Sequence, residues 1–160
     1  MPSFHTSELS IQQVYSYLTY AVAPRPICFA STIDKAGNVN LSPFSFFNLF
    51  SGNPPVCVFS PLRSIRNNTV KHTYENILEV KECVINIVNY DMVQQVSLSS
   101  TEYQKDVNEF EKTGLTMLAS ETVRPPRVAE SPVQLECVVN DVIELGQNGG
   151  AGNLILAEVK

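Results

Sequence analysis

The segment from residue 23 to residue 48 can fold in few ways other than a β-hairpin. Two extended runs, 27–33 and 38–44, flank the turn at 34–37. Gly37 can adopt the positive φ that closes such a turn. The second run continues into 42–48 (SPFSFFN), where small hydroxyl and amide side chains alternate with phenylalanine and proline. Hydroxyls and amides can hydrogen-bond to the edge of a flat polar ring, and Phe and Pro can form an apolar wall, so we expect a ligand surface after the hairpin.

The composition indicates one ordinary globular domain spanning 1–160. A chain of 160 residues that is 44% hydrophobic can build one core. Sixteen acidic residues against eleven basic ones give a net charge of −5, which argues against a nucleic-acid partner. The opening residues 1–8 are polar, and no apolar run approaches the ~20 residues that cross a bilayer. These features predict a cytoplasmic protein without a membrane partner.

The familiar catalytic and metal-binding motifs are missing from the sequence. The four cysteines, at 28, 57, 83 and 137, are far apart and lie among apolar neighbours, which predicts core thiols. Two histidines without H-x-x-x-H spacing predict no metal site. The chain also contains no G-x-S-x-G, G-x-G-x-x-G or G-x-x-x-x-G-K-[ST] motif. We therefore predict no catalytic side chain, and expect a bound cofactor to carry any enzyme chemistry.

Periodicity in the rest of the chain predicts a mainly β protein with inserted helices. A short helix at 10–18 follows a possible Ser10 cap, and a second helix places Val70, Tyr74, Ile77 and Val80 on one face, with Asn68 or Thr69 as its cap. A third helix is predicted at 91–100, and 103–126 is predicted to be a surface excursion that contributes little core. Further strands are predicted at 55–61, 83–88, 134–145 and 153–159. About six strands without regular strand–helix alternation favour a mainly antiparallel barrel or sheet.

One segment, 63–76, has the composition of an anion site. Arg63, Arg66 and Lys71 lie close to the start of the second predicted helix. Backbone N–H groups and the helix dipole favour an anion there, and basic side chains add charge-assisted hydrogen bonds. The alternative is a solvated basic turn with an ordinary cap. The residues of this segment leave both interpretations open.

Several separated motifs together resemble one family. In chain order they are PRPICFAST (24–32), GNVNLSPFSFFN (37–48), PPVCVFSP (54–61), KHTYENI (71–77), FEKTGLT (110–116) and RPPRVAESPVQLEC (124–137). The chain resembles the flavin reductase-like, FMN-binding split-barrel family, and most strongly its flavoredoxin-like branch. This resemblance implies a six-stranded antiparallel split β-barrel with inserted helices. It also implies a homodimer with flavin sites near the subunit interface.

The resemblance also implies which residues bind FMN. Near the ring and ribityl chain it places the following residues: Ser31, Thr32, Ser42, Ser45, Phe46 and Asn48. At the phosphate it places Lys71, Thr73 and Asn76, which match the pattern K-x-T-x-x-N-I, with Arg63 or Arg66 as helpers and Arg25 as a further contributor. Ordinary roles are the alternative. Ser31 and Thr32 could be plain strand residues, Asn76 a helix-surface amide and Arg25 a charged turn residue.

The implied activity is hydride transfer from NAD(P)H to flavin, with reduced flavin passed to a partner oxygenase or another acceptor. Stacked rings at contact distance need no side-chain acid, which fits the absence of catalytic motifs. An FMN-holding electron carrier without nicotinamide oxidation is the alternative, and a split-barrel protein that has lost flavin is a third. The sequence stops at Lys160 inside a predicted strand, whereas family members usually continue, so we expect a C-terminal tail to be lacking.

Overall fold

The centre of the protein is a seven-stranded antiparallel sheet, seen in a computed structural model that describes residues 3–160. The strands of the chain are β1 (Cys28–Ile33), β2 (Val39–Phe44), β3 (Phe47–Gly52), β4 (Pro55–Phe59), β5 (Glu82–Ile87), β6 (Met117–Leu118), β7 (Arg127–Val128), β8 (Val133–Glu144) and β9 (Asn153–Val159). In space the large sheet runs β2-β1-β5-β8-β9-β4-β3, and β6 pairs separately with β7. The hairpin predicted around Gly37, whose φ is +95°, is confirmed as β1 and β2.

The two edge strands of the sheet, β2 and β3, are consecutive in the chain. Only Ser45 and Phe46 separate them, so one extended segment bends and brings the sheet round on itself. The carbonyl of Phe46 accepts the N–H of Ser60 at 2.9 Å, which ties the bend to the end of β4. The predicted class, a mainly β split barrel with inserted helices, is confirmed. The count of six strands becomes seven in the large sheet because the Phe-rich segment, for which no further strand was predicted, continues into β3.

Within the described residues, four α-helices accompany the sheet: α1 (Ile11–Ala21), α2 (His72–Val80), α3 (Val93–Ser99) and α4 (Glu109–Thr113). The cap of α1 is confirmed, because the Ser10 hydroxyl accepts the Gln13 N–H while the Gln13 side chain accepts the Ser10 N–H. The caps predicted for α2 are wrong. Its N-cap is Lys71, which makes no side-chain capping bond, and Asn68 instead has a positive φ of 58° in the preceding loop. Among residues 3–160, no helix is long and apolar enough to span a membrane.

The main core lies between the sheet and α2. Tyr74 and Ile77 of α2 pack with buried residues of β1, β4, β5, β8 and β9. All four cysteines are reduced and buried in this core, as predicted. Burial raises the pKa values of the Cys28 and Cys57 thiols, so both stay protonated and behave as small apolar side chains.

A second core covers the other face of the hairpin. Phe29 of β1 and Leu41 of β2 pack there against Met92, Phe110, Leu115 and Val128. Phe110 and Leu115 belong to the segment 103–126, so the prediction that this excursion contributes little core is wrong. The polar composition of the segment hides two buried apolar side chains: Phe110 lies in the single-turn helix α4, and Leu115 follows the C-cap of that helix at Gly114.

Paired leucine substitutions in this segment test the second core. Leu115 is 7% exposed and Leu118 is 41% exposed. We expect Leu115→Ala to lower the free energy of unfolding by about 2–4 kcal/mol, because it removes buried methyl groups and leaves a cavity. Leu118→Ala is the matched control and should cost less than about 1 kcal/mol. Urea denaturation measures both, and equal losses would contradict this description of the segment.

Candidate functional site

A cleft of about 210 Å³ opens beside β2, and we call it the β2–α2 cleft. One wall comes from β2, a second from the start of α2, and a third from the chain between α3 and α4. Its lining residues are Asn40, Ser42, Pro43, Phe44, Thr69, Val70, Lys71, His72, Ser100, Thr101, Glu102, Tyr103 and Glu109. The cleft therefore combines an apolar strip, several hydroxyl groups, one lysine and two carboxylates.

The start of α2 faces this cleft without a side-chain cap. The Lys71 carbonyl accepts the N–H groups of Tyr74 and Glu75, at 2.9 and 3.3 Å. The N–H groups of the first helical residues, His72 and Thr73, have no acceptor within the helix. The Lys71 ammonium lies nearby and bonds to the Glu102 carboxylate at 3.0 Å. This helix end thus offers a positive dipole end and a cation at one wall of the cleft.

A buried polar network joins α2 to the hairpin beneath the cleft. The Asn40 amide donates to the Thr73 hydroxyl at 2.8 Å, and the Asn76 amide donates to the Thr32 hydroxyl at 3.2 Å. Both pairs are buried. The side-chain oxygen of Asn76 is also buried and has no hydrogen-bond partner in the structure. Thr73 and Asn76, predicted at the phosphate, therefore lie under the start of α2 with their side chains directed toward β1 and β2.

Ser31 and Thr32 are buried and engaged in hydrogen bonds within the protein. Both side chains are fully buried within β1. The Ser31 hydroxyl donates to the Pro126 carbonyl, and Thr32 is engaged by Asn76. Neither lines the β2–α2 cleft. Their direct contact with a ligand stays a prediction, whereas their role in fixing the hairpin follows from these hydrogen bonds.

A second cleft, of about 330 Å³, lies between the end of α1 and the bend from β2 to β3, and we call it the α1 cleft. Four predicted flavin residues line it: Arg25, Ser45, Phe46 and Asn48. The Arg25 guanidinium donates to the carbonyls of Thr19 and Val22, the latter at 2.6 Å, and so closes the C-terminal end of α1. Its Nε also donates to the Ser45 hydroxyl at 3.3 Å, which fixes both groups at the bend.

The predicted site residues therefore do not share one cleft: two line the β2–α2 cleft, four line the α1 cleft, and the others line neither. Ser42 and Lys71 both line the β2–α2 cleft. Arg63 lies in the loop before α2, where its Nε donates to the Asn68 side chain at 3.0 Å, and Arg66 is exposed in the same loop. These two arginines border the helix start without lining the cleft.

Glu109 is the residue of this site that the sequence analysis missed. Its carboxylate is buried, lines the β2–α2 cleft, and accepts the Leu41 N–H at 3.1 Å. That N–H points away from β1, so the carboxylate covers the free edge of β2, where Pro43 contributes no donor. Burial raises the pKa of this carboxyl above its usual value. The sequence signal was Asn108, which caps α4 by accepting the Phe110 N–H and directs the helix inward.

A pH-dependent stability difference tests the environment of Glu109. Because its folded-state pKa is raised, its contribution to stability is full below the unfolded pKa and is lost as pH rises through the folded value. Glutamine keeps an acceptor for Leu41 and does not ionise. We expect the urea midpoint of Glu109→Gln, relative to wild type, to be higher at pH 8 than at pH 4. A difference that is constant with pH, or that reverses, would contradict the assigned environment.

Comparison with known proteins identifies relatives. The family profile described as "Flavin reductase like domain" matches residues 20–160. An uncharacterized protein of Halalkalibacterium halodurans is 42% identical over 142 residues, which cover 89% of this chain and 68% of that protein. Nitrilotriacetate monooxygenase component B from Bacillus cereus is 30% identical, with a TM-score of 0.92, over 99% of this chain and 79% of that one. A protein of Shewanella frigidimarina NCIMB 400, described as a flavin reductase with split barrel domain, is 27% identical, with a TM-score of 0.83, over 100% of this chain and 78% of that one.

Proposed function

This chain belongs to the flavin reductase-like domain family, as its sequence predicted, and on that premise we propose that it binds FMN in the β2–α2 cleft. We propose further that it acts as a flavin reductase that oxidises NADH or NADPH. The observation that carries the proposal is the juxtaposition of Ser42 and Lys71 in one cleft, next to the uncapped start of α2. Ring-edge donors and an anion-binding helix end are thereby combined within a single cavity.

The groups at the start of α2 fit a phosphate. An anion there would accept the N–H groups that have no partner in the helix, and the dipole would favour its charge. Lys71 would add a charge-assisted hydrogen bond, and Ser100 and Thr101 line the same cleft with hydroxyl groups. The buried network below would act indirectly, because Asn40 and Thr73 hold this helix end against β2.

The β2 side of the cleft fits the polar edge of a flat ring. Ser42 and Asn40 supply hydrogen-bonding groups, and Pro43 and Phe44 supply an apolar wall. When bound, a flavin supplies the electron chemistry by accepting hydride from a nicotinamide. The protein would then bind the ring by its edge, keep one face open to the cosubstrate and hold the phosphate. Because the flavin would supply the electron chemistry and the protein would only bind and orient it, the chain needs no acid–base motif.

The proposal includes a homodimer and an electron acceptor. Leu49 and Phe50 are largely exposed on the edge strand β3, and Phe50 lines an apolar cavity of about 400 Å³ that a second copy would cover. For the acceptor, the Bacillus cereus relative is by name a component of a monooxygenase. We therefore propose that reduced flavin passes to an oxygenase or to another acceptor protein.

Substitution of Lys71 tests the phosphate position. We expect Lys71→Ala to weaken FMN binding by about 1–3 kcal/mol, because a charge-assisted hydrogen bond is lost. Riboflavin, which lacks the phosphate, should be affected much less. Lys35→Ala removes an equal charge from the exposed hairpin turn and serves as the control. Calorimetric titration measures each affinity, and equal losses for FMN and riboflavin would show that Lys71 does not contact the phosphate.

Steady-state oxidation of NADH and NADPH with added FMN, under air, tests the enzyme activity. We expect turnover with at least one nucleotide. A protein that binds FMN but oxidises neither nucleotide would instead be the FMN-holding electron carrier. A colourless protein that ignores added FMN would contradict both functions and leave a split-barrel binding protein without flavin.

A further inference from the structure

A strap of residues 100–108, between α3 and α4, is attached to α2 by two ion pairs. The Glu102 carboxylate bonds to the Lys71 ammonium at 3.0 Å, at the start of α2. One turn further along the helix, the Lys105 ammonium lies 3.6 Å from the Glu75 carboxylate. The hydrogen bond from Lys71, the charge of Lys71 and a smaller effect of Arg66 hold the pKa of Glu102 below its usual value. Glu102 therefore carries a full negative charge at neutral pH.

Glu102 occupies the position that an anionic ligand of Lys71 would need. Both residues line the β2–α2 cleft, so an arriving phosphate meets a carboxylate already bonded to the ammonium. A phosphomonoester carries about −1.5 to −2 charges at pH 7, against one for the carboxylate. The ammonium would therefore favour the phosphate, while the carboxylate, if it stayed, would repel it.

The strength of the Lys71–Glu102 ion pair determines how much Glu102 lowers the affinity for a phosphate. The side chains of Lys71 and Glu102 are 39% and 63% exposed. Ion pairs this exposed are weak because water and salt screen them. A phosphate can therefore displace the carboxylate, but it does so at a measurable loss of affinity. Riboflavin has no phosphate and therefore does not compete with the Glu102 carboxylate for Lys71.

From these contacts, and resting on the proposed function, we propose that Glu102 is a specificity-determining residue, an internal anion that competes with the FMN phosphate for Lys71. The competition limits the affinity for phosphorylated flavin and leaves the affinity for riboflavin unchanged. It also keeps the cation paired when no ligand is bound, which holds the strap against α2. The release of Glu102 on binding would free the strap at its attachment to Lys71.

The substitution Glu102→Gln distinguishes competition between Glu102 and phosphate from a role of Glu102 in positioning Lys71. We expect Glu102→Gln to tighten FMN binding about three- to fivefold at low salt, the range in which an exposed ion pair acts. Riboflavin affinity should stay unchanged. The gain should shrink as ionic strength rises, because salt screens the competing charge. Calorimetric titration of both flavins at roughly 20 mM and roughly 500 mM salt measures the effect.

Two further variants serve as controls. Glu75→Gln breaks the other ion pair of the strap without touching Lys71, and should leave the ratio of FMN to riboflavin affinity unchanged. In a Lys71→Ala background, Glu102→Gln should lose most of its effect, because the contested cation is gone.

The outcomes distinguish this inference from the proposed function. If Lys71→Ala weakens FMN binding but Glu102→Gln weakens it too, Glu102 positions Lys71 for the phosphate, and the competition is contradicted. An unchanged affinity in Glu102→Gln overturns it equally. If Lys71→Ala affects FMN and riboflavin alike, the phosphate lies elsewhere, and the proposed function fails at this cleft before Glu102 is considered.

Discussion

The arrangement of the site depends on how α2 is held against the hairpin. Two hydrogen bonds between buried side chains, Asn40 to Thr73 and Asn76 to Thr32, join the helix to β1 and β2. Buried polar groups are costly unless they are paired, so these partners restrict the helix to one register and one depth. Apolar contacts alone, such as those of Ile77, would tolerate small shifts of the helix. The polar pairs therefore place the uncapped start of α2 beside β2.

The charges around the cleft follow from that placement. With the helix start fixed, Lys71 can meet Glu102 from the strap, and Glu109 of α4 reaches the free edge of β2 at the same cleft. The first carboxylate is exposed and ionised, and the second is buried with a raised pKa. Two carboxylates at one cleft thus differ in protonation behaviour because one faces water and a cation while the other faces protein.

The sequence predicted the parts that short-range rules control. The turn at Gly37, the cap at Ser10 and the apolar face of α2 each follow from a local pattern, and the structure contains all three. Such short-range rules do not predict contacts between segments that are distant in the chain. The cap at Asn108 indicates a short helix, but no local pattern indicates that Glu109 would reach Leu41, and the polar composition around Phe110 concealed a core residue. The continuation of the bent strand into β3 was missed because proline and small residues around Ser45 are also typical of turns.

The residues that the family resemblance implies for flavin binding do not all line one cleft. Arg25 and Ser45 share a hydrogen bond at the end of α1, away from the lining of the cleft that contains Lys71. A crystal structure of the protein with FMN at saturating concentration would show where the phosphate and the ring bind. We expect phosphate oxygens within hydrogen-bond distance of the Lys71 ammonium and the first N–H groups of α2, with the ring against Ser42. A phosphate bound at Arg25 instead, or a β2–α2 cleft left without flavin, would contradict this expectation.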